Sequence, residues 1–144
     1  MHGTADVLQQ MASVISLHGV HTGDQFAIRT HQDRLTQHDI CALAWVVAEG
    51  RIAPREFFID EVTSLAIIGA SAPAMAAIRA ISEALDTPTC ETEIAPGLYA
   101  PDYIEHVSNW AATPPIFATD PPTVDEVIGR ILRAHNTLTT QSAA

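Results

Sequence analysis

Apolar residues recur at helical spacing along most of the chain, and glycine, proline and capping residues separate one apolar stretch from the next. The first stretch follows Thr4, a predicted N-cap, and ends near Gly19. The strongest begins at Thr36, also a predicted N-cap, and ends at Gly50. It is apolar on nearly all sides, which is typical of a central core helix. The same signals predict further helices, over 54–69, 71–85, 101–110 and 123–136.

Two segments break this helical pattern. In residues 20–30, Phe26 and Ile28 alternate with polar neighbours, which is compatible with a short β-hairpin. Residues 86–101 contain three prolines and a glycine, and we expect a long surface loop there.

The pattern as a whole predicts a mainly α protein. We expect a compact single-domain bundle of about five to six helices over residues 1–136, followed by a flexible C-terminal tail at 137–144. At 144 residues, 47% of them hydrophobic, the chain can bury a core without disulfides or metals. Because no export signal is visible, we expect Cys41 and Cys90 to be free thiols.

Charge narrows the classes of partner. Seven arginines and no lysine stand against 17 carboxylates, which gives a formal net charge of −10. Such a surface repels phosphate backbones and anionic membranes, so nucleic-acid and membrane binding are disfavoured. No apolar run is long enough to span a bilayer and no export signal is visible, so we expect a cytoplasmic protein.

Potential metal ligands concentrate in residues 18–41. His18 and His21 can present two imidazoles to one ion, and His31, His38 or Cys41 could complete a tetrahedral zinc shell. The more specific zinc signatures, paired CxxC or HExxH units, do not occur here. The favoured expectation is no cofactor, with zinc held by His18, His21 and His31 as the alternative.

The same region offers candidates for catalysis. His38 and Cys41 stand three residues apart on a predicted helix, where the imidazole could lower the pKa of the thiol. Glu49 recurs on the His38 side of that helix and could act as a base. The alternative is structural, because a cysteine in an apolar helix is most often a small buried hydrophobe. His38, Trp45 and Glu49 would then mark the boundary between core and solvent.

Two aromatic residues are candidates for binding a partner. Tyr103 and Trp110 fall on one predicted helix, where they are most simply core residues. They could also anchor another protein, and this helix with residues 86–101 is the favoured interaction region.

Several segments together resemble a family of small helical proteins of unknown function from actinobacteria and their phages. The matching segments are ADVLQQMASVI, HDICALAWVVAEG, APAMAAIRAISEAL and VSNW…TVDEVIGRILRAH. The Asp-x-Cys-Ala element of the family corresponds to Asp39, Cys41 and Ala42, and Trp110 stands before the Thr123-capped terminal helix. The chain departs from the family at Ala44-Trp45, where members carry Gly-Ala. The resemblance implies a helical domain and implies no reaction.

These observations favour a non-enzymatic helical protein that binds another protein, in a regulatory or phage–host accessory role. The partner could be a second copy of the chain, since the apolar fraction slightly exceeds what one small core needs. The alternative is a small enzyme, or a ligand- or metal-binding protein, that uses residues 18–41.

Overall fold

The computed structural model describes residues 3–30 and 35–143. Within these ranges the chain forms seven helices and two antiparallel two-stranded hairpins, so the predicted mainly α class is confirmed, with more helices than expected. The helices are α1 Thr4–His18, α2 Ile40–Glu49, α3 Glu56–Ile59, α4 Glu61–Gly69, α5 Ala72–Ala84, α6 Tyr103–Ala112 and α7 Val124–Ala143. The strands are β1 Ala27–Arg29, β2 Thr36–His38, β3 Cys90–Ala95 and β4 Leu98–Asp102.

Helix α2 lies at the centre of the core, as its apolar pattern predicts. Its first six residues are buried, and the helix packs against α1, α5 and α6. Helices α1 and α7 pack against each other, and α5 contacts both of them. Phe57 of α3 is fully buried in this core, with its ring centre 5.4 Å from that of Trp45.

Short polar side chains begin most of the helices. Ser71 caps α5 by accepting a hydrogen bond from the amide of Ala74, as the sequence predicts. Thr123 and Glu126 form the predicted capping box before α7, with each side chain reaching the other residue's amide. The predicted cap at Thr4 is wrong by one position, because Gly3 precedes the helix and Thr4 is its first residue.

The predicted cap at Thr36 is wrong for a physical reason. Residues 36–38 pair with 27–29 as β2, and the amide of Asp39 donates to the carbonyl of Phe26 at 2.7 Å. The backbone bonds of this hairpin outweigh a local capping preference, so α2 begins only at Ile40. The hairpin compatible with residues 20–30 is thus present as β1, but its second strand comes from residues 36–38.

Two further boundaries differ from the sequence prediction. Asp60 has an extended backbone and caps α4, which divides the expected helix over 54–69 into α3 and α4. At the C-terminus α7 continues to Ala143, past the domain boundary predicted after residue 136.

The predicted loop at 86–101 is wrong as well, since most of it forms the β3–β4 hairpin. Pro96 and Gly97 connect the strands, and Gly97 has a φ of +77°. Proline followed by glycine suits a type II turn, whose third residue needs a positive φ.

Among the described helices, no single one is both long enough and apolar enough to cross a membrane. Helices α4 and α5 reach that length and composition together, but they are bent by 96° relative to each other.

Candidate functional site

A buried polar cluster joins the start of α2 to α6, and we call Asp39, Cys41 and Ser108 the Asp39 cluster. One carboxylate oxygen of Asp39 accepts from the amide of Cys41 at 2.8 Å and from the hydroxyl of Ser108 at 3.1 Å. The Sγ of Cys41 lies 3.3 Å from that hydroxyl and donates to the carbonyl of Ile104 at 3.6 Å. Asp39 and Cys41 are both buried. Ser108 is half-buried, so the cluster ties the buried start of α2 to the edge of α6.

Burial sets the protonation of this cluster. Desolvation raises the pKa of Asp39 from its ordinary value of 3.8 to about 6, although the hydrogen bonds from Cys41 and Ser108 favour its charged form. Desolvation, together with the negative charge of Asp39, raises the pKa of the Cys41 thiol well above its ordinary value. A nucleophilic cysteine needs a thiolate that a substrate can reach. The surroundings of Cys41 oppose both conditions.

The other predicted catalytic residues have separate partners. His38 lies on β2 and not on α2, so the expected helical pairing of His38 with Cys41 is wrong. Glu49, at the end of α2, accepts a hydrogen bond from the Ser71 hydroxyl at 2.6 Å and so supports the capping residue of α5. A catalytic role for these residues stays a prediction, and their observed contacts are structural.

Three histidines lie where β2 packs on the end of α1. The amide of His21 donates to the carbonyl of His38 at 2.8 Å, and the side chain of Gln37 donates to the carbonyl of His18 at 3.0 Å. Burial lowers the pKa of His38, and the positive charge of His18 lowers it further. His31 lies outside the described residues.

Folding therefore brings His18, His21 and His38 near one another. In the described part of the chain, no group of three or more His, Cys, Asp or Glu side chains is placed to hold a metal ion. A zinc site that includes His31 stays a prediction.

An open cleft of about 750 Å³ lies between α6 and α7, and we call it the Trp110 cleft. Residues 86–90, which lead into β3, form one side, and the proline-rich segment 113–122 contributes another. Its apolar wall consists of Trp110, Ile116 and four prolines, namely Pro88, Pro114, Pro115 and Pro122. Its polar groups include two arginines of α7 and the carboxylates of Asp86 and Glu126.

His106 fixes one wall of the Trp110 cleft. Its Nδ1 lies 2.6 Å from the Ser82 hydroxyl and its Nε2 lies 2.7 Å from the Thr87 hydroxyl, so both ring nitrogens are engaged. Burial lowers the pKa of this imidazole, which favours the neutral ring. His106 thereby holds the segment before β3 against α5 and α6. Sequence reasoning missed it, although its helical spacing from Tyr103 and Trp110 was a usable signal.

The arginines of the cleft hold a carboxylate of the same chain. Arg130 donates to Asp86 at 2.7 Å and to the carbonyl of Ala84 at 3.1 Å, and Arg133 lies 3.8 Å from Asp86. The hydrogen bond from Arg130, and then its charge, lower the pKa of Asp86. These contacts connect α7 to the end of α5.

The two aromatic candidates for partner binding occupy different positions. Trp110 is half-buried and lines the cleft. Tyr103 is half-buried beneath the guanidinium of Arg79, which lies 5.5 Å from the centre of its ring. Of the two, Trp110 has the place that a partner could reach through an open cavity.

The β3–β4 hairpin extends this surface. Cys90, its first residue, lines the Trp110 cleft, whereas its apolar side chains near the turn point to solvent. Ile94, Leu98 and Tyr99 are 63%, 56% and 57% exposed. Isolated exposed apolar side chains are common, but three within six residues mark a candidate interface. Cys41 and Cys90 are both free, which confirms the sequence expectation.

No protein-family model, no curated protein and no solved structure matches this chain. The resemblance to the actinobacterial and phage family stays a prediction.

Proposed function

We propose that the chain is a non-enzymatic protein that binds a polypeptide segment of another protein in the Trp110 cleft. A regulatory or phage–host accessory role, exercised in the cytoplasm, belongs to the same proposal. The volume of the cleft carries it: about 750 Å³ lies within the usual range of a few hundred to about 1,000 Å³ for binding pockets.

The composition of the cleft supports a polypeptide as its occupant. An indole beside four prolines offers a stiff apolar surface, which loses little conformational entropy when a side chain packs on it. Tryptophan and arginine are the residue types that most often dominate binding energy at protein interfaces, and Trp110, Arg130 and Arg133 all line the cleft. Their arrangement suits an apolar anchor with polar groups around it.

The chemistry available in the cleft also supports binding over reaction. Both nitrogens of His106 are engaged by hydroxyl groups, and Arg130 is paired with Asp86. Desolvation and the nearby charges of Glu105 and Asp102 raise the pKa of the Cys90 thiol, which reduces its nucleophilicity. His106 and Arg130 therefore stabilise the walls of the Trp110 cleft through their hydrogen bonds, and Cys90 is a weak nucleophile.

Selection from a phage-displayed random peptide library tests the proposal directly. The folded protein is immobilised, and enriched peptides are synthesised and titrated against the wild type and Trp110→Ala. We expect at least about a tenfold loss of affinity in that variant, because truncation of a central aromatic anchor typically costs 2 kcal/mol or more.

Ile52→Ala is the matched control, since this side chain is 90% exposed and does not line the cleft. Its affinities should equal those of the wild type. A library that yields no enriched peptide, or peptides that bind Trp110→Ala as tightly as the wild type, would overturn the proposed function.

A further inference from the structure

Charge is distributed unevenly along the chain. Residues 80–129 contain nine carboxylates and neither lysine nor arginine. This acidic segment includes β3, β4, α6 and the proline-rich segment, and its acids are Glu83, Asp86, Glu91, Glu93, Asp102, Glu105, Asp120, Asp125 and Glu126. Asp86 is neutralised by Arg130, but Glu91 and Glu93 of β3 are exposed and have no ion-pair partner among the described residues. The Glu93 carboxylate accepts a hydrogen bond from the amide of Gly97 at 3.0 Å, which leaves its charge in place. The hairpin therefore presents uncompensated negative charge.

The register of the hairpin fixes which backbone groups point outward. Pro101 of β4 stands opposite Glu91 of β3. Opposite residues in an antiparallel pair alternate between exchanging two hydrogen bonds and exchanging none, and proline has no amide hydrogen to exchange. The Glu91–Pro101 pair is therefore a non-bonded one, and so is Glu93–Tyr99 two residues along. The amide and carbonyl groups of Glu91 and Glu93 consequently point away from β4.

The two outer edges of the hairpin differ. Across the described residues, β3 and β4 pair only with each other, and no backbone bond joins either strand to another element. On the edge of β4, Pro101 removes one of the outward donors, which is a common protection of edge strands. On the edge of β3, Glu91 and Glu93 both retain their amides. Of the two, β3 is the edge open to another strand.

We propose that the outer edge of β3 accepts an extended, basic segment of a partner protein as a third strand. The hairpin register shifts between Glu93 and Ala95, so the regular part of β3 is Cys90–Glu93. Along it the segment alternates, with lysine or arginine beside Glu91 and Glu93 and an apolar side chain beside Thr92 on the opposite face. This inference rests on the proposed function, because it names the partner chemistry of the surface that begins at Cys90, where the cleft and β3 meet.

Charge decides between a basic partner and a second copy of the chain. Edge glutamates disfavour pairing with any acidic strand, and β3 of another copy would bring the same two glutamates. A basic strand converts each repulsion into a cross-strand ion pair, worth about two- to fivefold in affinity. The overall charge of −10 also speeds its encounter with a cationic partner.

The test uses the full chain and an acetylated peptide of alternating lysine and valine. Amide resonances of the ¹⁵N-labelled protein are followed during titration, and hydrogen exchange is measured at Glu91 and Glu93. We expect shifts concentrated on β3 and at least about tenfold slower exchange at those two amides. Two matched peptides serve as controls: one with glutamate in place of lysine, and one N-methylated at the lysines. In an antiparallel third strand the amides of the lysines opposite Glu91 and Glu93 face β3, so this peptide keeps the charge but cannot complete the ladder.

Two substitutions at Glu91 distinguish the contribution of its backbone amide to peptide affinity from that of its charge. Glu91→Pro copies on β3 the protection that Pro101 gives β4, and it leaves the hairpin's own bonds in place because this amide points outward. We expect Glu91→Pro to weaken the peptide at least about tenfold, and Glu91→Ala only about two- to fivefold. The methylated peptide on the wild-type protein gives the same information if Glu91→Pro disturbs the hairpin.

Three outcomes would overturn the inference. The methylated peptide could bind as tightly as its parent, the glutamate peptide could bind equally well, or the β3 shifts could depend on protein concentration without peptide, which would indicate a second copy. Peptides selected through Trp110 would still bind in each case, so this failure is distinguishable from failure of the proposed function.

Discussion

The Asp39 cluster and the Trp110 cleft both use residues of α6 and differ in how far another molecule could reach them. In the cluster, Asp39 and Cys41 are buried and bond to each other and to the half-buried Ser108. In the cleft, polar and aromatic groups surround an open volume of about 750 Å³. The sequence draws attention to the first region because cysteine and histidine concentrate there. The comparison teaches that accessibility to another molecule is a better guide to a binding site than the chemical type of a residue.

Thiol reactivity gives the largest contrast between the two regions. Cys41 is buried with a raised pKa, whereas Cys90 is half-buried at the edge of the cleft. We expect iodoacetamide to modify Cys90 in the native protein and to reach Cys41 at least about 1,000 times more slowly, since Cys41 must wait for unfolding. Peptide mass spectrometry over time measures both rates. Comparable rates at the two thiols would show that the Asp39 cluster is open and would restore Cys41 as a catalytic candidate.

The pH dependence of stability tests the burial of Asp39. Its pKa is about 6 in the folded protein and near 3.8 in the unfolded chain, so between these values the folded state binds more protons. The contribution of this carboxyl is therefore greatest below about pH 4 and decreases as the pH rises through 6. The total decrease is about 2 to 3 kcal/mol, since one pKa unit is worth about 1.4 kcal/mol.

Comparison with Asp39→Asn isolates this effect. Lowered pKa values at His38 and His106 make stability rise with pH just below their ordinary value of 6.5, but both proteins share that contribution. Urea titrations at several pH values give the unfolding free energy of each protein. The value for the wild type minus the value for Asp39→Asn should fall between pH 4 and 6 and be constant above pH 7. A difference that is constant across this range would mean that Asp39 is solvated.

Ser108 tests the same cluster from the side of α6. Ser108→Ala removes one of the donors to Asp39 and the hydroxyl beside Cys41, which we expect to cost about 1 to 2 kcal/mol of unfolding free energy. Ser13→Ala is the matched control, because that helical serine is exposed and bonds only within its own turn. Equal midpoints of urea unfolding for the two variants would argue against a structural role for the cluster.

Much of the fold follows from local signals in the sequence. Ser71 and the pair Thr123–Glu126 place the beginnings of α5 and α7 correctly, because capping depends on neighbours in the chain. The prediction at Thr36 is wrong because its segment pairs with residues 27–29. Strand pairing depends on residues elsewhere in the chain, so neighbouring residues do not reveal it. The β3–β4 hairpin is easier to predict from sequence, since Pro96-Gly97 is a recognised turn signal.

The candidate site was predictable only in part. Aromatic content and loop length predict an interaction region at Tyr103, Trp110 and residues 86–101, of which Trp110 and part of residues 86–90 line the cleft. The arginines that complete the cleft lie on α7, more than 40 residues from Asp86, and only packing brings them there. Likewise, Ser108 stands 67 residues from Cys41, so nothing near that cysteine indicates how closed its surroundings are.

The smallest expected effect concerns the turn of the open hairpin. Gly97→Ala places a β-carbon where φ is +77°, a strain of about 1 kcal/mol that falls on a hairpin outside the main core. We expect the inward-bonded amides of Cys90 and Thr92 to exchange about fivefold faster, while the midpoint of global unfolding does not change. Gly129→Ala in α7 is the control, because its site is sterically free and alanine there should raise global stability by up to about 1 kcal/mol. If Gly97→Ala instead lowers the midpoint of global unfolding, the hairpin unfolds together with the core. The β3–β4 surface would then be as tightly coupled to the fold as the Asp39 cluster is.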